Sequence, residues 1–135
     1  MNNKRWGTEK PLNIESQYSL TKKDVVLGGI SPIMSHKNKK VWIINTNGII
    51  QIEVWENTDK YGHLGEGLSL DNLKKVSKLQ LTPGQTVLIK PLQVYRFYAV
   101  YDEASFVEIQ LPDITTYEDV FELTKGGIID ENSSV

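Results

Sequence analysis

Apolar and polar residues alternate with a period of two along most of this chain, the pattern of half-buried β-strands. Residues 81–111, LTPGQTVLIKPLQVYRFYAVYDEASFVEIQL, carry it most clearly. Thr82-Pro83-Gly84-Gln85 is a turn, because Pro presets φ and Gly accepts a positive one. Residues 86–90 form a short β-branched strand, and Pro91-Leu92-Gln93 breaks the ladder for want of an N–H. Residues 94–101 alternate with aromatics at Tyr95, Phe97, Tyr98 and Tyr101. Asp102-Glu103-Ala104 then turns the chain as a hairpin into a strand over 105–111.

Residues 40–55 repeat the theme, with two β-rich runs flanking Asn47-Gly48, a strong hairpin signal. Val41 and Ile43 oppose Trp42 and Ile44, so both faces of that strand are apolar, and the second face calls for an N-terminal arm or another subunit as cover. Shorter strands are expected at 18–20, 25–30 and 76–81. Residues 56–71, with Gly62, Gly65 and Gly67, read as a loop near the mouth of a barrel; His63 lies in it. No amphipathic helix follows, so it is not a phosphate loop. The spacing predicts a single helix over 115–124, TTYEDVFELT, N-capped by Thr116 and stopped by Gly126-Gly127.

A length of 135 residues is one domain's worth, expected to span 1–135 with an arm over 1–17 and a frayed tail over 126–135. No apolar run reaches the length of a membrane helix, and the absence of cysteine excludes disulfides, thiolate nucleophiles and zinc knuckles. A cytoplasmic location is the expectation. The net charge of −2 hides an asymmetry: residues 1–40 carry +5 and the rest −7. Lys37, Lys39 and Lys40 cluster, a candidate anion site, whereas a nucleic-acid partner would need a basic stripe that this acidic chain lacks.

The stretch from Gly84 resembles the second half of a cupin. Gly84, five residues, Lys90-Pro91-Leu92 and then Tyr95-Arg96-Phe97 fall where cupins have a Gly turn, a Pro-Gly-type corner and a metal-binding His-Arg-Phe. Trp6-Gly7-Thr8-Glu9 is similar to a Trp-Gly-x-Glu segment at cupin N-termini. Glu118-Asp119-Val120-Phe121-Glu122-Leu123 loosely matches an acidic segment after the last strand. The resemblance is to small cupins similar to the C-terminal domain of type II mannose-6-phosphate isomerases. It implies an all-β double-stranded β-helix (a jelly-roll barrel) with one short C-terminal helix, forming a homodimer.

The same resemblance locates the metal motif and shows it altered. Ser35, Lys37 and Val41 (Lys40, if the match is anchored on Trp42) stand where two histidines and a glutamate belong, and Tyr95 replaces the last histidine. Divalent transition metals need imidazole and carboxylate donors, so no metal cofactor is expected. His36 lies one residue out of register, and strand alternation would turn it to the opposite face. The resemblance then implies a carbohydrate or sugar-phosphate ligand held in the barrel by Ser35, Lys37, Lys40, Tyr95 and Arg96. Two alternatives stay open. One is an enzyme, either a sugar-phosphate isomerase like the mannose-6-phosphate isomerases or one like the metal-free nucleotide-sugar epimerases with His36 as base and Tyr95 as acid; the other is a structural dimer with a filled barrel.

Overall fold

The computed structural model describes residues 2–14, 18–57, 73–111 and 120–129. Most of them lie in strands: β1 (Asn2–Lys4), β2 (Gly7–Ile14), β3 (Ser19–Val25), β4 (Gly29–Ile30), β5 (Met34–His36), β6 (Lys40–Asn47), β7 (Ile50–Asn57), β8 (Leu73–Leu81), β9 (Thr86–Ile89), β10 (Val94–Tyr98), β11 (Ala104–Leu111), β12 (Val120–Glu122) and β13 (Gly127–Ile128). They form two antiparallel sheets. The first runs β1-β2-β3-β11-β6-β9. The second runs β12-β5-β10-β4-β13, with β7 pairing β10 on one side and β8 on the other.

At two of the tight turns the chain crosses from one sheet to the other, and this overturns two of the expected hairpins. β6 and β7 flank Asn47-Gly48 but do not pair; β6 lies between β11 and β9, and β7 between β10 and β8. Gly48, at φ 72°, turns the chain across the barrel end, where a Cβ would come within 2.6 Å of the Glu103 carbonyl oxygen. Likewise β10 and β11 belong to opposite sheets. An alternating pattern on either side of a tight turn serves a sheet-crossing corner as well as a hairpin. The turn at Pro83-Gly84 is tight as expected, closed by the Gln85 N–H donating to the Thr82 carbonyl at 3.0 Å.

Other differences are local. The strand expected over 25–30 is divided: β3 ends at Val25, and a turn closed by the Gly29 N–H donating to the Val26 carbonyl leads into β4. Of the helix expected over 115–124, residues 120–122 are strand β12, because they pair with β5; residues 115–119 lie outside the described residues. Gly127 and Ile128 pair with β4 and so are not frayed, while 130–135 lie outside the description, as do His63 and residues 58–72. The N-terminal arm is a pinned hairpin: β2 pairs along β3, and Trp6 packs edge-on against Phe97 at 5.0 Å. Val41 and Ile43 are fully buried, but Trp42 is 36% exposed, so among the described residues nothing covers the second face of β6.

Apolar residues fill one part of the barrel. Phe97, Phe106, Ile43, Ile50, Ile52 and Ile89 are almost wholly buried, with Phe97 and Phe106 meeting edge-on at 4.9 Å. Along β11 the inward positions change from Ala104 and Phe106 to Glu108 and Gln110. Along β3 they include Val25 and Lys23. The barrel is thus packed over part of its length and polar over the rest.

Candidate functional site

Register decides which side chains face the polar end. β5 pairs with β10 so that Met34 stands opposite Tyr95 and Ser35 opposite Val94, and with β12 so that His36 stands opposite Val120. Directly paired residues share a face, so Met34, His36, Tyr95 and Val120 point inward together. Ser35 is buried on the other side. This corrects the sequence register, in which Ser35 and Lys37 faced inward and His36 outward. The end of β5 is fixed by the Pro91 corner, where the Leu92 N–H donates to the His36 carbonyl at 2.7 Å.

The inner cavity has a volume of about 200 Å³ and draws on both sheets. His36 Nε2 lies 3.0 Å from the Tyr95 hydroxyl, both groups buried, with the rings 5.9 Å apart and 28° from parallel. Facing them, Lys23 Nζ from β3 donates to Glu108 Oε2 from β11 at 2.9 Å, and Gln110 donates to the other carboxylate oxygen. Lys39 completes this wall and donates to Gln110 Oε1 at 3.1 Å.

Charge states follow from these neighbours. Burial pushes the Tyr95 phenol well above its ordinary value, and the Glu108 carboxylate adds to the effect, so Tyr95 is a neutral phenol at pH 7. Burial alone would raise Glu108. The charge and hydrogen bond of Lys23 outweigh it, with Gln110 and His36 adding to them, and the carboxyl sits below its usual range.

A second compartment of about 410 Å³ adjoins the first, and Lys4, Glu9, Lys23, Met34 and Glu122 line both. Its outer wall is the β1–β2 turn with Arg5 and Trp6, together with Lys125.

Four residues expected at the site lie elsewhere. Lys37 and Lys40 are exposed and line neither compartment, and Ser35 lines neither. Arg96 alternates with Tyr95 and points to the outside of its sheet. There its Nε and Nη2 donate to Glu53 Oε1 at 3.0 and 2.9 Å, and its guanidinium lies 5.4 Å from the Trp55 ring and 5.8 Å from the Tyr98 ring. Sequence reasoning brought in His36 and Tyr95 but missed Lys23, Glu108 and Gln110. The alternation of β11 held a signal, since Glu108 is in phase with the core residues Ala104 and Phe106. However, Val107 and Ile109, which face outward, are the more apolar set.

The donor set does not fit a divalent metal. Among the described residues no three His, Cys, Asp or Glu side chains converge as ligands. The His36 imidazole is bonded to a phenol, and of the carboxylates lining the cavity Glu108 is held by the Lys23 ammonium and Glu9 lies beside Lys4 and Lys23. Also among the described residues, no helix is long and apolar enough to cross a membrane.

No protein-family model and no curated protein sequence matches the chain. Solved structures do. KdgF from Halomonas sp. aligns with a TM-score of 0.65 at 11% identity, over 85% of this chain and 86% of KdgF. The cupin domain of Cnp3 from Schizosaccharomyces pombe aligns with a TM-score of 0.61 at 10% identity, over 84% of this chain and 69% of that one. CapF from Staphylococcus aureus, a capsular polysaccharide assembling protein, aligns with a TM-score of 0.69 at 9% identity, over 91% of this chain. This chain spans only 33% of CapF's length. At such identities the likeness is one of fold, and the fold is the cupin double-stranded β-helix.

Proposed function

We propose that this chain is a metal-free cupin whose barrel cavity binds a small carbohydrate. The observation that carries the reading is the polar inner compartment, where a His36–Tyr95 pair faces a Lys23–Glu108 pair with Gln110 and Lys39 beside them. Hydroxyl-rich ligands need closely spaced donors and acceptors on a pre-formed wall, and this wall supplies both. The sequence resemblance to the mannose-6-phosphate isomerase group and the fold shared with CapF point to the same ligand class, although one fold hosts many functions. The polar, unfilled end of the barrel counts against a purely structural role.

The His36–Tyr95 contact favours a second reading, acid–base isomerisation or epimerisation. In it the imidazole removes a proton from a carbon beside a carbonyl, and the neutral Tyr95 phenol returns one.

The test is thermal stabilisation by a panel of hexoses and hexose phosphates, which raise the melting temperature of a protein that binds them. Tyr95→Phe is expected to remove most of the rise. A panel without effect at millimolar concentration refutes carbohydrate binding. Exchange of a carbon-bound proton of the sugar for deuterium from deuterated solvent separates turnover from binding alone. Elemental analysis is expected to find no stoichiometric iron, manganese, nickel or zinc; stoichiometric metal lost in His36→Asn refutes the metal-free reading.

A further inference from the structure

The outermost strand of a sheet leaves a row of N–H and C=O groups without a partner strand, and a long row is a template for pairing. Most edges of this fold are short. β1, β9, β12 and β13 have 3, 4, 3 and 2 residues. β8 has 9 residues, pairs with β7 on one side, and has no strand on the other among the described residues. Residues 74–76 and 78–80 of it are exposed. Leu79 is 36% exposed although Ile52 opposite it is wholly buried, because the inner face of the sheet ends at this strand.

Register gives the two faces of β8 different chemistry. Lys75, Lys78 and Gln80 stand opposite Trp55, Glu53 and Gln51 and share their outer face, whereas Ser77 and Leu79 stand opposite Val54 and Ile52 and share the inner one. A bulge between Val54 and Trp55 leaves Val76 unopposed and 49% exposed. The outer face borders a cleft of about 450 Å³, with Lys75, Lys78 and Gln80 along one wall and Tyr98 and Tyr101 in another. Its buried carboxylate, Glu53, is shared between two cations: Arg96 donates to it at 3.0 Å, and Lys75 is ion-paired with it. Lys78 is hydrogen-bonded to Tyr98, and Lys74 stands opposite Glu56. Lys74, Lys75, Lys78 and Arg96 thus stand against Glu53 and Glu56, an excess of positive charge in a chain whose net charge is −2.

We propose that β8 is a docking edge for an extended acidic peptide of another protein, which adds to the second sheet as one further strand and alternates acidic with apolar residues. The main chain of such a peptide pairs with the open row of β8, and its side chains fall by turns on the two faces. On the outer face its carboxylates meet Lys75 and Lys78. On the inner face its apolar side chains continue the sheet past Leu79 and cover it. A second copy of this strand is a poor occupant, because β8 carries Lys74, Lys75 and Lys78 and no acidic side chain, so two copies would bring only like charges together. The docking edge lies outside the barrel cavity and does not depend on what that cavity holds.

The experiment measures binding of a capped peptide of the length of β8 in which glutamate alternates with valine. Binding is expected to weaken as salt is added, and by about tenfold in Lys75→Gln/Lys78→Gln, the range for two exposed ion pairs. Two control peptides leave the protein unaltered. One has lysine in place of glutamate; the other is N-methylated throughout and keeps its charges but has no backbone N–H. Neither is expected to bind. In hydrogen exchange the acidic peptide is expected to protect amides within residues 73–81 of the wild-type chain. No binding at millimolar concentration overturns the proposal, as does protection centred on β1 or β9. Equal affinity of the N-methylated peptide overturns it too, since a charged patch alone would then account for binding. Protection of β8 without peptide that disappears on dilution assigns the edge to a second copy and also overturns the proposal.

Discussion

Replacing Lys23 by Met tests whether the inner cavity is built on a charge pair. Met keeps most of the apolar stem beside Trp6 and Phe97 and removes the ammonium. Glu108 is then left with its side chain 1% exposed and its principal counter-charge gone. Breaking a buried pair from one side costs about 3–5 kcal/mol, unless the carboxylate takes up a proton instead. That escape costs about 1.4 kcal/mol per unit by which pH exceeds the folded pKa.

The two proteins should therefore respond oppositely to acid. In the wild type Glu108 is lowered, so its contribution is present above the unfolded pKa and is lost as pH falls through the folded one. In Lys23→Met burial prevails and raises it, so the penalty is largest at neutral pH and is relieved as pH falls. Urea unfolding is expected to show a loss of about 3–5 kcal/mol at pH 7 that narrows toward pH 4.5, the ordinary value of the carboxyl. Lys23→Met/Glu108→Leu is expected to recover most of the loss, because no charge is then left buried. A loss under about 1 kcal/mol at pH 7, as for an exposed pair, or a gap that stays constant with pH, would refute the reasoning.

Two further outcomes are expected. Tyr95 is raised, so its contribution to stability is intact below the unfolded value of about 10 and is lost as pH rises beyond it; alkaline unfolding of Tyr95→Phe should lack this component, and identical alkaline limbs would contradict the buried, neutral phenol. The outer face of the first sheet carries Leu20, Ile109, Trp42 and Leu88 as directly paired neighbours across four strands, an apolar row of the kind that a second copy would cover; we expect a dimer by sedimentation that Trp42→Asp converts to monomer, and a monomeric wild type would refute it.

The strands and turns were legible in the sequence because alternation and turn chemistry are local. Pro83-Gly84, the Pro91 break and the paired aromatics of 94–98 all appear where the pattern puts them. The resemblance carried by Gly84, Pro91 and Tyr95-Arg96-Phe97 led to the right fold. Pairing was not legible. Asn47-Gly48 suits a hairpin and a sheet-crossing corner equally, and only the long-range partners β9, β10 and β11 decide between them. The helix expected near 120 failed for the same reason: β5 offers residues 120–122 a ladder, and pairing outweighs local preference.

The site divides along the same line. Tyr95 and His36 could be named from sequence, but the inward turn of His36 depends on the register of β5 against β10 and β12. Lys23 and Glu108 stand 85 residues apart and meet because β3 and β11 are neighbours, which no local pattern records. Their strands also defeat a reading by hydrophobicity. Where the barrel interior is a polar cavity and not a core, the inward face is the charged one, and the apolar Val107 and Ile109 face out. Periodicity gives two faces to a strand; which of them is the inside is fixed only when the sheets close on each other.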